Sequence, residues 1–210
     1  MKNPATLYYI HDPMCSWCWG YRPVWDELQR QLPDTITIEY VTGGLAPDSS
    51  LPMPIEMRKV IQSHWCNIQV KLGTEFNFDF WENNTPRRST YMACRAAIAA
   101  KYQDFESEMV DAIQRGYYLR ALNPSDISIL NQLARELCSL NPEINLQQFS
   151  LDLLSIDTQS EFERQMGLAS ELTDQGFPSL VLESEGQSQF IPIDYIDCSV
   201  TLAEILKLAG

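Results

Sequence analysis

Apolar positions along this chain fall into two periods, and the order of the periods sets out an architecture. Leu7-Tyr8-Tyr9-Ile10 is a short apolar run that reads as a buried strand over 6–11. From 15 to 32 the spacing turns helical, with Cys18, Tyr21, Trp25, Leu28 and Leu32 advancing by three or four, and Pro23 expected to kink the helix. Thr35–Thr42 then alternates, with Ile36, Ile38 and Tyr40 on one face, which predicts a second strand. Gly43-Gly44 and a Pro-rich stretch to Pro54 predict a loop.

Between about 55 and 155 the pattern is helical throughout. Met57, Val60, Ile61, Trp65, Ile68 and Leu72 form one stripe, and the aromatic run Phe76–Trp81 follows it. Ser89 is expected to cap an alanine-rich helix over 90–102, and Phe105, Met109 and Ile113 continue the helical spacing. Asn123-Pro124-Ser125-Asp126 carries the signals of a helix start, and Ile127, Leu130, Ala134 and Leu137 give that helix its apolar face. Leu146, Phe149 and Leu153 predict one more short helix.

The last third switches again. Thr158-Gln159-Ser160-Glu161 fits a capping box, Phe162, Met166 and Ala169 face inward, and Gly176 is expected to end the helix. Pro178–Leu182 and Gln189–Ile193 read as two strands turned at Glu185-Gly186, with Pro192 making the second an edge, before a terminal helix over 199–208. The order is β-α-β, a helical block, then α-β-β-α. It predicts an α/β fold whose first domain is 1–53 plus 157–210, with 54–156 as an inserted helical domain.

Composition narrows the function. Apolar residues make up 45% of the 210 positions, enough for a sizeable core. The net charge of −13, from 28 acidic and 15 basic residues, repels phosphate backbones and anionic membranes, so nucleic acid is disfavoured as a partner. No stretch is long and apolar enough to span a membrane, and Met1–Thr6 carries no secretory signal, so a cytoplasmic protein is expected. The six cysteines are even in number, but that compartment argues against a structural disulfide framework.

The chemistry concentrates at Cys15-Ser16-Trp17-Cys18, where the first strand becomes the first helix. A thiol there faces unpaired backbone N–H groups and the positive end of the helix dipole, both of which favour the reactive thiolate. Three residues on, Cys18 lies on the same helix side within reach of a disulfide, and its stripe places it deeper. Cys15 is the expected nucleophile and Cys18 the resolving thiol, with Ser16 and Trp17 tuning them. Half of a zinc site is the competing reading, but no second such pair and no histidine pair accompanies it. The chemistry calls for no cofactor or metal. Cys66, Cys94, Cys138 and Cys198 are expected to fill core, as is the aromatic run 76–81. His64 is expected to pack or to be partly exposed, His11 to be structural, and Arg87-Arg88 is too short for a nucleic-acid patch.

The segment Asp12-Pro13-Met14-Cys15-Ser16-Trp17-Cys18-Trp19-Gly20, Pro23 five residues after the second cysteine, and Gly176-Phe177-Pro178-Ser179 together resemble the DsbA-like thioredoxin-fold family. Within it they are most similar to the FrnE-like cytoplasmic branch, whose inserted helices Tyr91–Ala97 and Tyr117–Asp126 also resemble. The resemblance implies a thioredoxin fold and thiol–disulfide exchange on protein or small-molecule disulfides, glutathione included. It implies a cis bond before Pro178, with the Phe177 backbone binding an extended substrate. It leaves open a redox-sensing chaperone or protease adaptor, and a glutathione-dependent transferase or isomerase of the kappa type. One departure stands out: the buried acid that thioredoxins place six residues before the first cysteine is here Tyr9. Asp12 is left either to assist proton transfer or to cap the turn before the helix.

Overall fold

A computed structural model describes residues 5–210 of the chain. Met1–Pro4, which bear on the expected lack of a secretory signal, lie outside the described residues. Among those described, the elements are β1 (Ala5–His11), α1 (Ser16–Gln31), β2 (Ile36–Thr42), α2 (Ile55–Leu72), α3 (Phe80–Asn83), α4 (Tyr91–Lys101) and α5 (Glu106–Arg120). Then follow α6 (Ile127–Leu140), α7 (Leu146–Asp152), α8 (Ile156–Leu172), β3 (Ser179–Ser184), β4 (Gln187–Ile191) and α9 (Cys198–Leu208).

The sheet runs β2-β1-β3-β4, with β1 parallel to β2 and antiparallel to β3. Strand alternation sorts its two faces. Leu7, Tyr9, Leu180 and Leu182 point to one side, where Tyr21, Trp25 and Leu28 of α1 and Ile205 of α9 cover them. Ile10, Val41 and Val181 point to the other, against Ala169 of α8. This is the α/β arrangement that the strand and helix order predicted, and the thioredoxin fold that the resemblance implied.

A second apolar cluster gathers residues of α2 to α7 around Trp65, whose ring lies 5.1 Å from Phe76 and 5.0 Å from Trp81. Phe76, Phe80 and Trp81 are therefore core. The alanine helix α4 is buried on all sides from Ala93 to Ala100, which small side chains permit. It touches the cluster on one side and, through Cys94 and Ile98, Phe162 of α8 on the other.

Several local expectations are corrected. Ser89 does not cap α4; Thr90 stands at the N-cap, and neither side chain bonds the helix end. α6 starts after Asp126 rather than at Asn123, whose side chain instead closes a turn onto the Ser125 N–H at 3.2 Å. α8 is capped by Ser155, which accepts the Thr158 N–H at 3.1 Å, so the helix begins before the supposed capping box. It also ends at Leu172, short of Gly176. The apolar stripe of α2 is only partly buried: Trp65 and Ile68 are inside, whereas Met57 and Val60 are exposed. Cys66 is exposed rather than core, and Cys138 is half-buried.

Candidate active site

Asp12-Pro13-Met14 turns the chain from β1 into α1, and a buried carboxylate holds that turn. Asp12 Oδ1 accepts the Met14 N–H at 2.8 Å, while the Asp12 carbonyl accepts the Cys15 N–H at 3.0 Å. Asp12 Oδ2 accepts the Leu45 N–H at 2.7 Å, the Thr90 hydroxyl at 2.6 Å and the Cys94 thiol at 3.4 Å. Burial raises the Asp12 pKa and these hydrogen bonds work against the rise. Asp12 thus does cap the turn, and it also ties β1 to the 43–46 loop and to α4. Cys94 fills core as expected but is in addition a donor to this carboxylate.

Cys15 occupies the N-cap of α1, where its neutral thiol makes no cap hydrogen bond. An N-cap side chain faces the N–H groups two and three residues on. The Cys15 pKa is accordingly lowered, first by a hydrogen bond from the Cys18 thiol and then, against burial, by the Cys18 and Trp17 N–H groups. Burial pushes Cys18 well above the ordinary thiol range, and Cys15 reinforces the effect. Cys15 retains 7% exposure and borders a groove, whereas Cys18 has none and does not reach it. Both thiols are free.

The far end of the chain returns to this point. The Phe177–Pro178 peptide bond is cis, and the Cys15 thiol donates to the Phe177 carbonyl across 3.5 Å. The Phe177 ring lies over Gly43, where any side chain would collide with it, which explains the glycine. Ser16 and Trp17 border the same opening, and Trp17 packs edge-on against Tyr195 at 5.3 Å. The opening is a groove of about 440 Å³ walled by Met57, Val60 and His64 of α2, by Arg87 to Thr90, and by Tyr117.

The helical segment grips the loop as well. The Tyr118 hydroxyl donates to the Met14 carbonyl at 2.7 Å, and Trp19 stacks on the same ring at 5.6 Å. Tyr9 sits fully buried beneath Cys18, whose charge raises the phenol further after burial. His11 stacks on Tyr9 at 5.0 Å with neither ring nitrogen hydrogen-bonded; burial holds its pKa down to about 3, so it is a neutral structural ring. Thr90, Leu45, Tyr118 and Gly43 escaped sequence reasoning. Gly43-Gly44 after a strand marked a loop, but nothing local tells which ring the first glycine admits.

Comparison with known proteins agrees with this fold. A crystal structure of a candidate protein disulfide isomerase from Nitrosomonas europaea matches with a TM-score of 0.83 and 27% identity, covering 98% of this chain and 97% of that one. The cytosolic disulfide reductase DsbM from Pseudomonas aeruginosa matches with a TM-score of 0.72 and 22% identity, covering 97% and 95%. These DsbA-like folds are what the motifs implied. Among curated proteins, the ClpXP adapter protein SpxH of Halalkalibacterium halodurans is 22% identical over 160 residues, 73% of this chain; the chain spans about half the length of that relative, 50%. The thioredoxin family model matches residues 8–191, from within β1 to the last residue of β4, and the chain belongs to that family.

Proposed function

We propose that this protein is a thiol–disulfide oxidoreductase in which Cys15 and Cys18 reduce or isomerise disulfides. The observation that carries the reading is one thiol with a lowered pKa bordering a groove, backed by a fully buried thiol with a raised one. The Cys15 thiolate attacks one sulfur of a substrate disulfide; a Cys15–substrate bond forms and the other sulfur leaves as a thiolate that takes a proton. Cys18 then gives up its proton and attacks Cys15. The Cys15–Cys18 bond forms, the second substrate sulfur leaves, and two electrons have passed from the dithiol to the substrate. An external thiol reductant restores the dithiol. Isomerisation follows when a substrate thiol, rather than Cys18, releases the mixed disulfide.

Phe177 and Pro178 form the substrate-binding turn in this reading. The Phe177 carbonyl that accepts from the resting thiol is freed when Cys15 ionises. Ser16 and Trp17 tune the pair, and Asp12 positions it. We place the protein in the cytoplasm with the FrnE-like branch, acting on protein or small-molecule disulfides, with glutathione among them. DsbM is cytosolic and has also been solved with GSH. No helix among the described residues is long and apolar enough to cross a membrane. Residues 54–156 act as a helical domain inserted into the thioredoxin unit.

Insulin reduction by wild type and by Cys15→Ser is the test, with Cys18→Ser expected to accumulate the mixed disulfide. Equal rates for wild type and Cys15→Ser would remove the reading. The likeness to a ClpXP adapter favours one alternative, a redox-sensing adaptor without turnover. Partner capture that survives joint Cys15→Ser and Cys18→Ser substitution would select it.

A further inference from the structure

The groove beside Cys15 is an electrostatic exception on this molecule. The chain carries 28 acidic residues for 15 basic ones, yet no carboxylate lines the groove, and Arg87, Arg88 and His64 do. The two arginines differ in how their charge is used. Arg87 donates to the Ser125 carbonyl at 2.9 Å and pairs with Asp126, so its charge is spent within the fold. Arg88, half-buried, makes no hydrogen bond and no ion pair among the described residues. Its charge reaches into the groove, where it partly offsets the effect of burial on the Tyr117 phenol. A guanidinium on the groove wall with no protein acceptor is an unfilled fork for a carboxylate.

We propose that Arg88 is a specificity residue of this groove and binds a carboxylate of a small anionic disulfide whose sulfur meets Cys15. The inference rests on the oxidoreductase reading above and adds the residue that selects anionic small disulfides among its substrates. The groove volume, about 440 Å³, suits a ligand of tripeptide size. Local recognition of this kind has work to do here, because the net charge of −13 repels anions at long range. The reacting bonds are those already given: Cys15 bonds to the near sulfur, the far thiolate leaves, and Cys18 closes the protein disulfide. Arg88 touches only the carboxylate.

The test follows oxidation of the reduced full-length protein by oxidised glutathione and by hydroxyethyl disulfide, which has no charge. The readout is the ratio of the two second-order rates. In Arg88→Met this ratio falls about tenfold, the size of one charge-assisted hydrogen bond in a half-buried site, and Arg88→Lys recovers part of it. Arg135→Met removes the same charge from an exposed position on α6 outside the groove and keeps the wild-type ratio. No buried partner of Arg88 is orphaned by the change, so the variants fold. A ratio that Arg88→Met leaves unaltered, or that Arg135→Met lowers equally, overturns the proposal while leaving the dithiol chemistry standing. Failure of the wild type to react even with hydroxyethyl disulfide takes down the oxidoreductase reading itself.

Discussion

Gly43→Ala tests how the groove is assembled, because its effect can be worked out from one contact. A Cβ at Gly43 would sit 2.0 Å and 2.1 Å from two ring carbons of Phe177. Relaxed carbon–carbon contact needs about 3.5–4.0 Å, so one partner must withdraw by about 1.5 Å. Gly43 is the less able to move, since its N–H donates to the His11 carbonyl at 2.8 Å and the neighbouring Leu45 N–H is held by Asp12 at 2.7 Å. Gly43 also lies outside the left-handed region, so alanine adds no backbone strain of its own. The ring of Phe177 must give way, and with it the carbonyl that accepts from Cys15.

Overpacking of this kind costs about 1–3 kcal/mol, or a fall of about 2–4 °C in Tm for each kcal/mol in a chain of this size. Turnover should fall further, by about tenfold or more, since a displacement near 1 Å beside a reacting atom is felt strongly in the rate. A double-mutant cycle with Phe177→Ala isolates the cause. With the ring gone, Gly43→Ala should cost less than about 0.5 kcal/mol in denaturant unfolding. An equal penalty in both backgrounds, or a Gly43→Ala protein with unchanged Tm and turnover, would refute the account.

Other outcomes follow from the buried ionisable groups. Only the thiolate of Cys15 is alkylated, so the rate of iodoacetamide labelling rises with pH to a plateau; its midpoint should lie below the ordinary thiol value of about 8.5 and move up in Cys18→Ala, which removes the largest stabilising hydrogen bond. Glu106, whose Oε1 is buried without a partner, is raised from 4.5 to about 7 mainly by burial. A raised carboxyl favours the fold while protonated, so stability is fully present below about 4.5 and is lost as pH climbs through 7. Glu106→Gln should therefore be more stable than wild type at pH 8, by up to about 3 kcal/mol, and equal to it near pH 4; a Tm profile parallel to wild type would contradict this. Asp12→Asn should lose about 2–4 kcal/mol in denaturant titration, because an amide offers one acceptor oxygen to several donors. The same substitution should move the Cys15 labelling midpoint down, since the Asp12 charge raises it. A midpoint left in place with a slowed release of the mixed disulfide would instead mark Asp12 as a proton acceptor.

The parts of this molecule visible in its sequence are those where burial and period coincide. β1 and β3 carry apolar runs because both faces of the sheet are covered, β2 alternates, and α1 keeps one stripe against that sheet. The dithiol and the Phe177–Pro178 turn were legible as residue types at fixed places. Helix starts were legible only as a choice among neighbours. Ser89 and Thr90 both qualify as a cap, and the outcome depends on Asp12, which lies 78 residues away in sequence and takes the Thr90 hydroxyl. Along α2 the period was right and its meaning was not: Met57 and Val60 are apolar because they wall the groove, not because they enter the core. The sequence pattern could not separate the two, since an apolar residue facing a cleft and one facing a core share the same spacing.

The Asp12 cluster also explains why an acid stands where the chain could have used an amide. Four donors converge on its two oxygens: two backbone N–H groups, a hydroxyl and a thiol. An amide would meet them with one acceptor and two further donors, and a hydrophobe with none, leaving buried N–H groups unpaired at a cost of about 1–3 kcal/mol each. Only a carboxylate supplies the lone pairs, and the hydrogen bonds counter the cost of burying it. Those donors come from the turn before Cys15, from the loop after β2 and from α4, so a single side chain sets the dithiol loop against both the sheet and the helices. With Tyr118 holding the Met14 carbonyl from α5, the helical segment fixes one wall of the Cys15 thiol's setting. A chain stripped of 54–156 would keep Cys15 and Cys18 in sequence but lose the Thr90, Cys94 and Tyr118 contacts that hold the loop bearing the first of them.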